Sequence, residues 1–109
     1  MLPNILDQLP LCRGLFVGGC VARGVGSSFR AAAHTHNDPS DPWYGWICFR
    51  AAKRIMDYFR PVPSPLLWHE YAHLMAPGEG HGPRWKTACA TLTAQGVQVH
   101  THYKGKRRG

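Results

Sequence analysis

The chain has 109 residues, 44% of them hydrophobic and only 17% charged, which excludes a disordered segment and leaves room for one small packed domain. Thirteen Lys and Arg against six Asp and Glu give a formal charge of +7, which suits a polyanion or an anionic membrane surface, or serves as ordinary solubilising charge. Cys12, Cys20, Cys48 and Cys89 form no C-x-x-C pair, which argues against a zinc ribbon built on cysteines.

In chain order, Ile5, Leu6 and Leu9 share a face and suggest a short helix within Leu2 to Leu11, limited by Pro3 and Pro10. Leu15 to Val21 has strand character weakened by Gly18 and Gly19, and Val25-Gly26-Ser27-Ser28 reads as a turn. A second strand is expected over Phe29 to His36, then a loop over Asn37 to Pro42, then a strand over Trp43 to Phe49, buried on both faces. Ile55, Met56 and Phe59 fall at helical spacing and predict a helix over Ala51 to Phe59. Ser64 as N-cap and Pro65 as first residue open a helix that runs to about Ala76, where Pro77-Gly78 stops it. A further helix spans Pro83 to Gln95 with Gly96 as its stop, and Val97 to Tyr103 forms a short last strand or an extended tail. The domain covers 1–103, followed by a basic tail over 104–109.

The first twenty residues lack a basic start, an apolar run and a cleavage site, and Gly14 to Ala22 is too short to span a bilayer. The expectation is an intracellular, cytoplasmic protein with reduced thiols and no membrane attachment.

The organising stretch is Pro65 to Trp85. It contains His69-Glu70-x-x-His73, with His81 eight positions after the second histidine. One helical turn separates His69 from His73, so both imidazoles reach one metal ion, and Glu70 sits about 100° round the helix beside it. That layout suits a metal-activated water with a carboxylate base. From Pro65 to Ala76 these three are, Tyr71 aside, the ionisable side chains of an otherwise apolar helix. Such a helix belongs in the centre of a fold, where unpaired His and Glu are costly and a divalent ion removes the cost.

His81 and Glu79 compete for the third ligand position. Glu79 stands six positions after His73, where metzincin peptidases place their last ligand, but Ala76 occupies the site of the glycine that register requires. Gly78, Gly80 and Gly82 allow the chain to fold back, which favours His81. His34 and His36 share a strand face near the site and are expected as exposed spectators; His100, His102 and Tyr103 are candidate oxyanion donors.

H-E-Y-A-H followed by G-H-G-P-R-W resembles the SprT-like (Spartan-type) zinc metallopeptidases. The resemblance covers about twenty residues. It implies an α+β, zincin-like domain, in which a few-stranded sheet packs on the H-E-x-x-H helix and a following C-terminal helix. It also implies Zn2+ held by His69, His73 and His81, Glu70 as general base, and Trp85 as the aromatic packed beneath the site. A long first helix and a Cys-rich zinc module of that family have no counterpart in these residues, and a minimal version of this kind would be at home in a bacteriophage or bacterial genome. Members act on proteins crosslinked to DNA, so the implied partners are a protein or peptide substrate and DNA, met by the basic surface and Lys104 to Arg108. The alternatives are a repressor-cleaving H-E-x-x-H peptidase and a nucleic-acid-binding module with a structural zinc.

Overall fold

The computed structural model describes residues 5–57 and 59–101. Its elements run β1 (Gly14–Val17), β2 (Gly19–Cys20), β3 (Gly24–Val25), β4 (Ala33–Thr35), β5 (Trp46–Phe49), β6 (Met56–Asp57), β7 (Val62–Pro63), α1 (Pro65–Met75) and α2 (Pro83–Ala94), with 3-10 turns at Ile5–Gln8 and Ala52–Arg54. This is a small mixed α+β domain in which a few-stranded sheet packs on the H-E-x-x-H helix.

The apolar run Trp46–Phe49 takes the centre of a three-stranded sheet, parallel to β1 and antiparallel to β4. Ala33 pairs with Phe49, His34 with Cys48 and Thr35 with Ile47. Side chains alternate between the two faces of a sheet, so these pairs separate into two sets. Ala33, Ile47 and Phe49 join the hydrophobic core under α1. His34, His36 and Cys48 project from the opposite face, across which β2 packs. The strand expected over Leu15 to Val21 divides at Gly18, whose φ of +89° turns the chain off the sheet edge into the β2–β3 hairpin.

Eight consecutive residues of α1, from Leu67 to Leu74, are buried. The helix begins as the sequence predicts. Ser64 Oγ accepts from the Leu67 N–H at 3.1 Å, Pro65 takes the first position, and the same hydroxyl donates to the Arg54 carbonyl at 2.5 Å. Trp85, Ala88, Cys89 and Leu92 turn one face of α2 onto this core. Tyr71 Oη accepts from the Leu11 N–H at 3.1 Å, which ties the N-terminal segment to α1.

Three further expectations change. The strand at Phe29 to His36 shortens to Ala33–Thr35, and that at Trp43 to Phe49 shortens to Trp46–Phe49. The helix expected over Ala51 to Phe59 is instead a 3-10 turn followed by β6, which pairs antiparallel with β7. Asp57 is the physical reason: its carboxylate accepts from the Phe59 N–H at 3.0 Å and from Arg60, a local turn that competes with helix. Phe59 ends 97% exposed. Val97 to Thr101 forms no regular strand, although the His100 N–H donates to the Pro65 carbonyl at 3.0 Å, and Tyr58, His102, Tyr103 and the basic tail lie outside the described residues. Among the described residues, no helix is long and apolar enough to cross a membrane.

Ser64 closes the first turn of α1 and also anchors the preceding hairpin. Ser64→Ala is expected to cost about 1 to 2 kcal/mol, or about 4 to 8 °C in Tm for a domain of this size. Thermal denaturation by circular dichroism measures it, and an unchanged Tm would show that neither bond matters to stability.

Candidate active site

The packing of α1 leaves His69, Glu70 and His73 only 6%, 5% and 9% exposed. Burial of that degree holds both imidazoles neutral. The His69 and His73 pKa values fall to about 4, chiefly by desolvation and further by the neighbouring histidines. Neutral imidazole is the ligating form.

Second contacts aim the rings. The Nδ1–H of His69 donates to the His100 carbonyl at 2.6 Å, which turns Nε2 into the site. That Nε2 lies 3.2 Å from Nε2 of His81. One ring nitrogen from each of His69, His73 and His81 falls within 4.8 Å of the other two. Two imidazole nitrogens on one tetrahedral zinc stand about 3.3 Å apart at ordinary Zn–N lengths, so the donor set and its spacing fit such an ion. Trp85 is the floor of the cluster, 2% exposed, with ring centroids 4.9, 5.5 and 4.6 Å from those of His69, His73 and His81. Its indole N–H donates to the His69 carbonyl at 3.3 Å.

His81 reaches the helix because the loop after α1 is folded back and latched. Gly78 adopts a φ of +78°, and its N–H donates to the Asn37 carbonyl at 2.9 Å. Asn37 Nδ2 in turn donates to the Glu79 carbonyl at 3.1 Å. The Glu79 side chain is engaged at the start of α2 instead. Its carboxylate accepts from the Arg84 and Trp85 N–H groups at 2.8 and 3.4 Å, capping α2, whose N-cap is a glycine with no side chain. The structure therefore brings His81, and not Glu79, to the histidine pair.

Glu70 stands beside the three histidines, with Oε2 4.0 Å from His69 Nε2. The Thr35 hydroxyl lies 2.7 Å from its Oε1 and 3.0 Å from its carbonyl oxygen. Desolvation pushes the Glu70 pKa up to about 7, against the opposing pull of the Thr35 hydrogen bond. A carboxyl poised near neutrality can take and return a proton at working pH.

The cluster opens into a cleft of about 1480 Å³, bounded by β4, the Gly80–His81 turn and the segment at His100. β4 is a sheet edge. Ala32 and His36 bond to β5 through their backbones, and His34 pairs with Cys48 between them, so the N–H and C=O of Ala33 and Thr35 point outward from that edge.

Sequence reasoning missed Thr35 and Asn37, and it missed the His100 backbone in place of its ring. The signal for the Glu79 cap was present, since Gly82 offers the start of α2 no side chain. The exposed-spectator reading of His34 and His36 is overturned: both are half-buried, with rings 5.1 Å apart.

The Thr35 bond favours the charged carboxylate, and Thr35→Val removes it while burial remains. In the metal-free protein, Glu70 is then expected to titrate above its value of about 7. A 13C-labelled carboxyl followed by NMR measures the shift, and an unmoved titration would count against the contact.

No family model, no curated protein and no solved structure matches this chain. What the geometry itself establishes is a zincin-like H-E-x-x-H motif with His81 beside it, a His/Glu cluster able to chelate a metal ion, arranged as the active site of a zinc metalloendopeptidase.

Proposed function

We propose that the chain is a zinc-dependent endopeptidase with His69, His73 and His81 as metal ligands and Glu70 as general base. The observation that carries this reading is the convergence of three imidazoles beside one buried carboxylate at the base of an open cleft. A zinc ion there would supply Lewis acidity, polarising a peptide carbonyl and acidifying water.

The chain's own residues do the rest. The exposed backbone of Ala33 and Thr35 offers an extended substrate a strand to pair with, which places its scissile bond across the cleft beside α1. Glu70, oriented by Thr35, takes the proton of the attacking water and delivers it to the departing amide nitrogen. A structural zinc module has no use for such a carboxylate, and this argues for the enzyme over the binding module.

The likeness of H-E-Y-A-H and G-H-G-P-R-W to SprT-like peptidases supports a narrower reading: hydrolysis of proteins associated with DNA. The net charge of +7 is in keeping with it, as are Arg30, Arg54 and Lys86 along the cleft.

Glu70→Gln is expected to keep its zinc and lose about 10²-fold to 10⁴-fold in activity, measured as casein or histone cleavage with and without single-stranded DNA. Equal cleavage by the variant, or none by wild type under any condition, would refute the peptidase. Stimulation by DNA in wild type alone supports the narrower substrate class. His81→Ala should lose zinc, while Glu79→Gln should keep it and melt at lower temperature; the reverse pattern in metal analysis would reassign the third ligand.

A further inference from the structure

The far face of the sheet holds a second cluster that the peptidase chemistry does not use. Cys20 from β2, His34 and His36 beside one another on the β4 side, and Cys48 from β5 converge there. Each offers one ligand atom, and these four atoms lie within 4.8 Å of one another. We propose that Cys20, His34, His36 and Cys48 bind a second metal ion, a structural zinc in a Cys2His2 site that fastens the β2–β3 hairpin to the sheet.

The distances are those of a site about to close. At ordinary bond lengths a tetrahedral zinc sets sulfur and nitrogen ligands about 3.6 Å apart, sulfurs about 3.8 Å and nitrogens about 3.3 Å. Cys20 Sγ already stands 3.5 Å from Nε2 of His36. The remaining separations need shrink by no more than about 1.5 Å to reach these values.

The surroundings also match an ion. His36 Nδ1 is 2.8 Å from the Asp41 carboxylate, the outer contact that typically orients a ligating imidazole and leaves Nε2 for the metal. Cys48 Sγ accepts the Val21 N–H at 3.3 Å. His34 Nε2 is buried and has no hydrogen-bond partner among the described residues, an expense that a metal at this face removes.

The packing leads to the same place. Cys20 and Cys48 are 5% and 0% exposed, yet neither belongs to the hydrophobic core beneath α1, to which Cys12 and Cys89 do belong. Among the described residues, the hairpin strand β2 packs across the face they occupy and no helix does. Small domains commonly replace missing core with a bound metal. Four protein ligands with no carboxylate base make a closed site, as structural zinc requires, and two thiolates balance the ion's charge. The chain thus has an open three-histidine site on one side of β4 and a closed thiolate site on the other.

The two sites differ spectroscopically, because only the second contains sulfur. Purified wild type is expected to carry two zinc ions per chain by elemental analysis, and His69→Ala/His73→Ala and Cys20→Ser/Cys48→Ser one each. On replacing zinc with Co2+, the intense near-ultraviolet thiolate-to-cobalt band should appear in wild type and in His69→Ala/His73→Ala, and vanish in Cys20→Ser/Cys48→Ser. The proposal is overturned if His69→Ala/His73→Ala binds neither zinc nor cobalt through thiolate, or if Cys20 and Cys48 are found joined as a disulfide in protein holding a single zinc. His69→Ala/His73→Ala leaves all four proposed ligands in place, so the result stands even if the cysteine variant fails to fold. These readouts need no peptidase activity, and either reading can fail without the other.

Discussion

The constraint on which the structure depends is the burial of two imidazoles and a carboxylate in a helix that is otherwise apolar. Left alone, such groups would cost several kcal/mol apiece in lost solvation. The fold compensates by giving each a dedicated neighbour. The His100 carbonyl receives the His69 Nδ1–H, the Trp85 indole covers all three histidine rings, and the Thr35 hydroxyl meets Glu70. Those neighbours come from the segment after α2, from α2 and from β4, so the requirement of a few side chains on α1 fixes the placement of most of the domain.

β4 serves both halves of the molecule. With only three residues in regular pairing, it sends Thr35 toward α1 and His34 to the opposite face. The residue that bonds Glu70 and a member of the Cys2His2 cluster are therefore sequence neighbours. Support given to the far face of β4 bears on the cleft through the same short strand, whose other ties are its pairing with β5 and the Thr35 bonds to Glu70. Catalytic geometry profits from such support, since misplacement of about 1 Å is costly in rate.

Much of the centre was legible in the chain. Helical spacing put His69, Glu70 and His73 on one side of α1, and the near absence of other charges there implied burial, which the structure bears out. Ser64, Pro65 and Gly78 marked where α1 begins and where the chain turns back. Other features were hidden for physical reasons. The periodic Ile55, Met56 and Phe59 mimicked a helix, but a single Asp57 side chain bonds its own backbone and redirects the chain. His34 and His36 lie far from Cys20 and Cys48 in sequence, and only strand pairing and the turn at Gly18 bring the four together. Cysteine spacing alone cannot reveal ligands contributed singly by separate strands. Thr35 carries no signal at all, because a lone threonine in a short strand reads as ordinary β-propensity.

The contact at His100 is made by a carbonyl oxygen, and every amino acid owns one. The hydrogen bond that orients His69 is consequently open to any residue at position 100, even though the His100 ring also packs 5.9 Å from that of His69, and it is sensitive to position along the chain. Substitution there leaves the hydrogen bond available, whereas inserting or deleting one residue between Gly96 and His100 presents a different peptide group to the imidazole. A survey of side-chain replacements would pass over this position, and a survey of chain length would find it. The catalytic helix is thus guarded by spacing, which tolerates wide drift in composition and almost none in count.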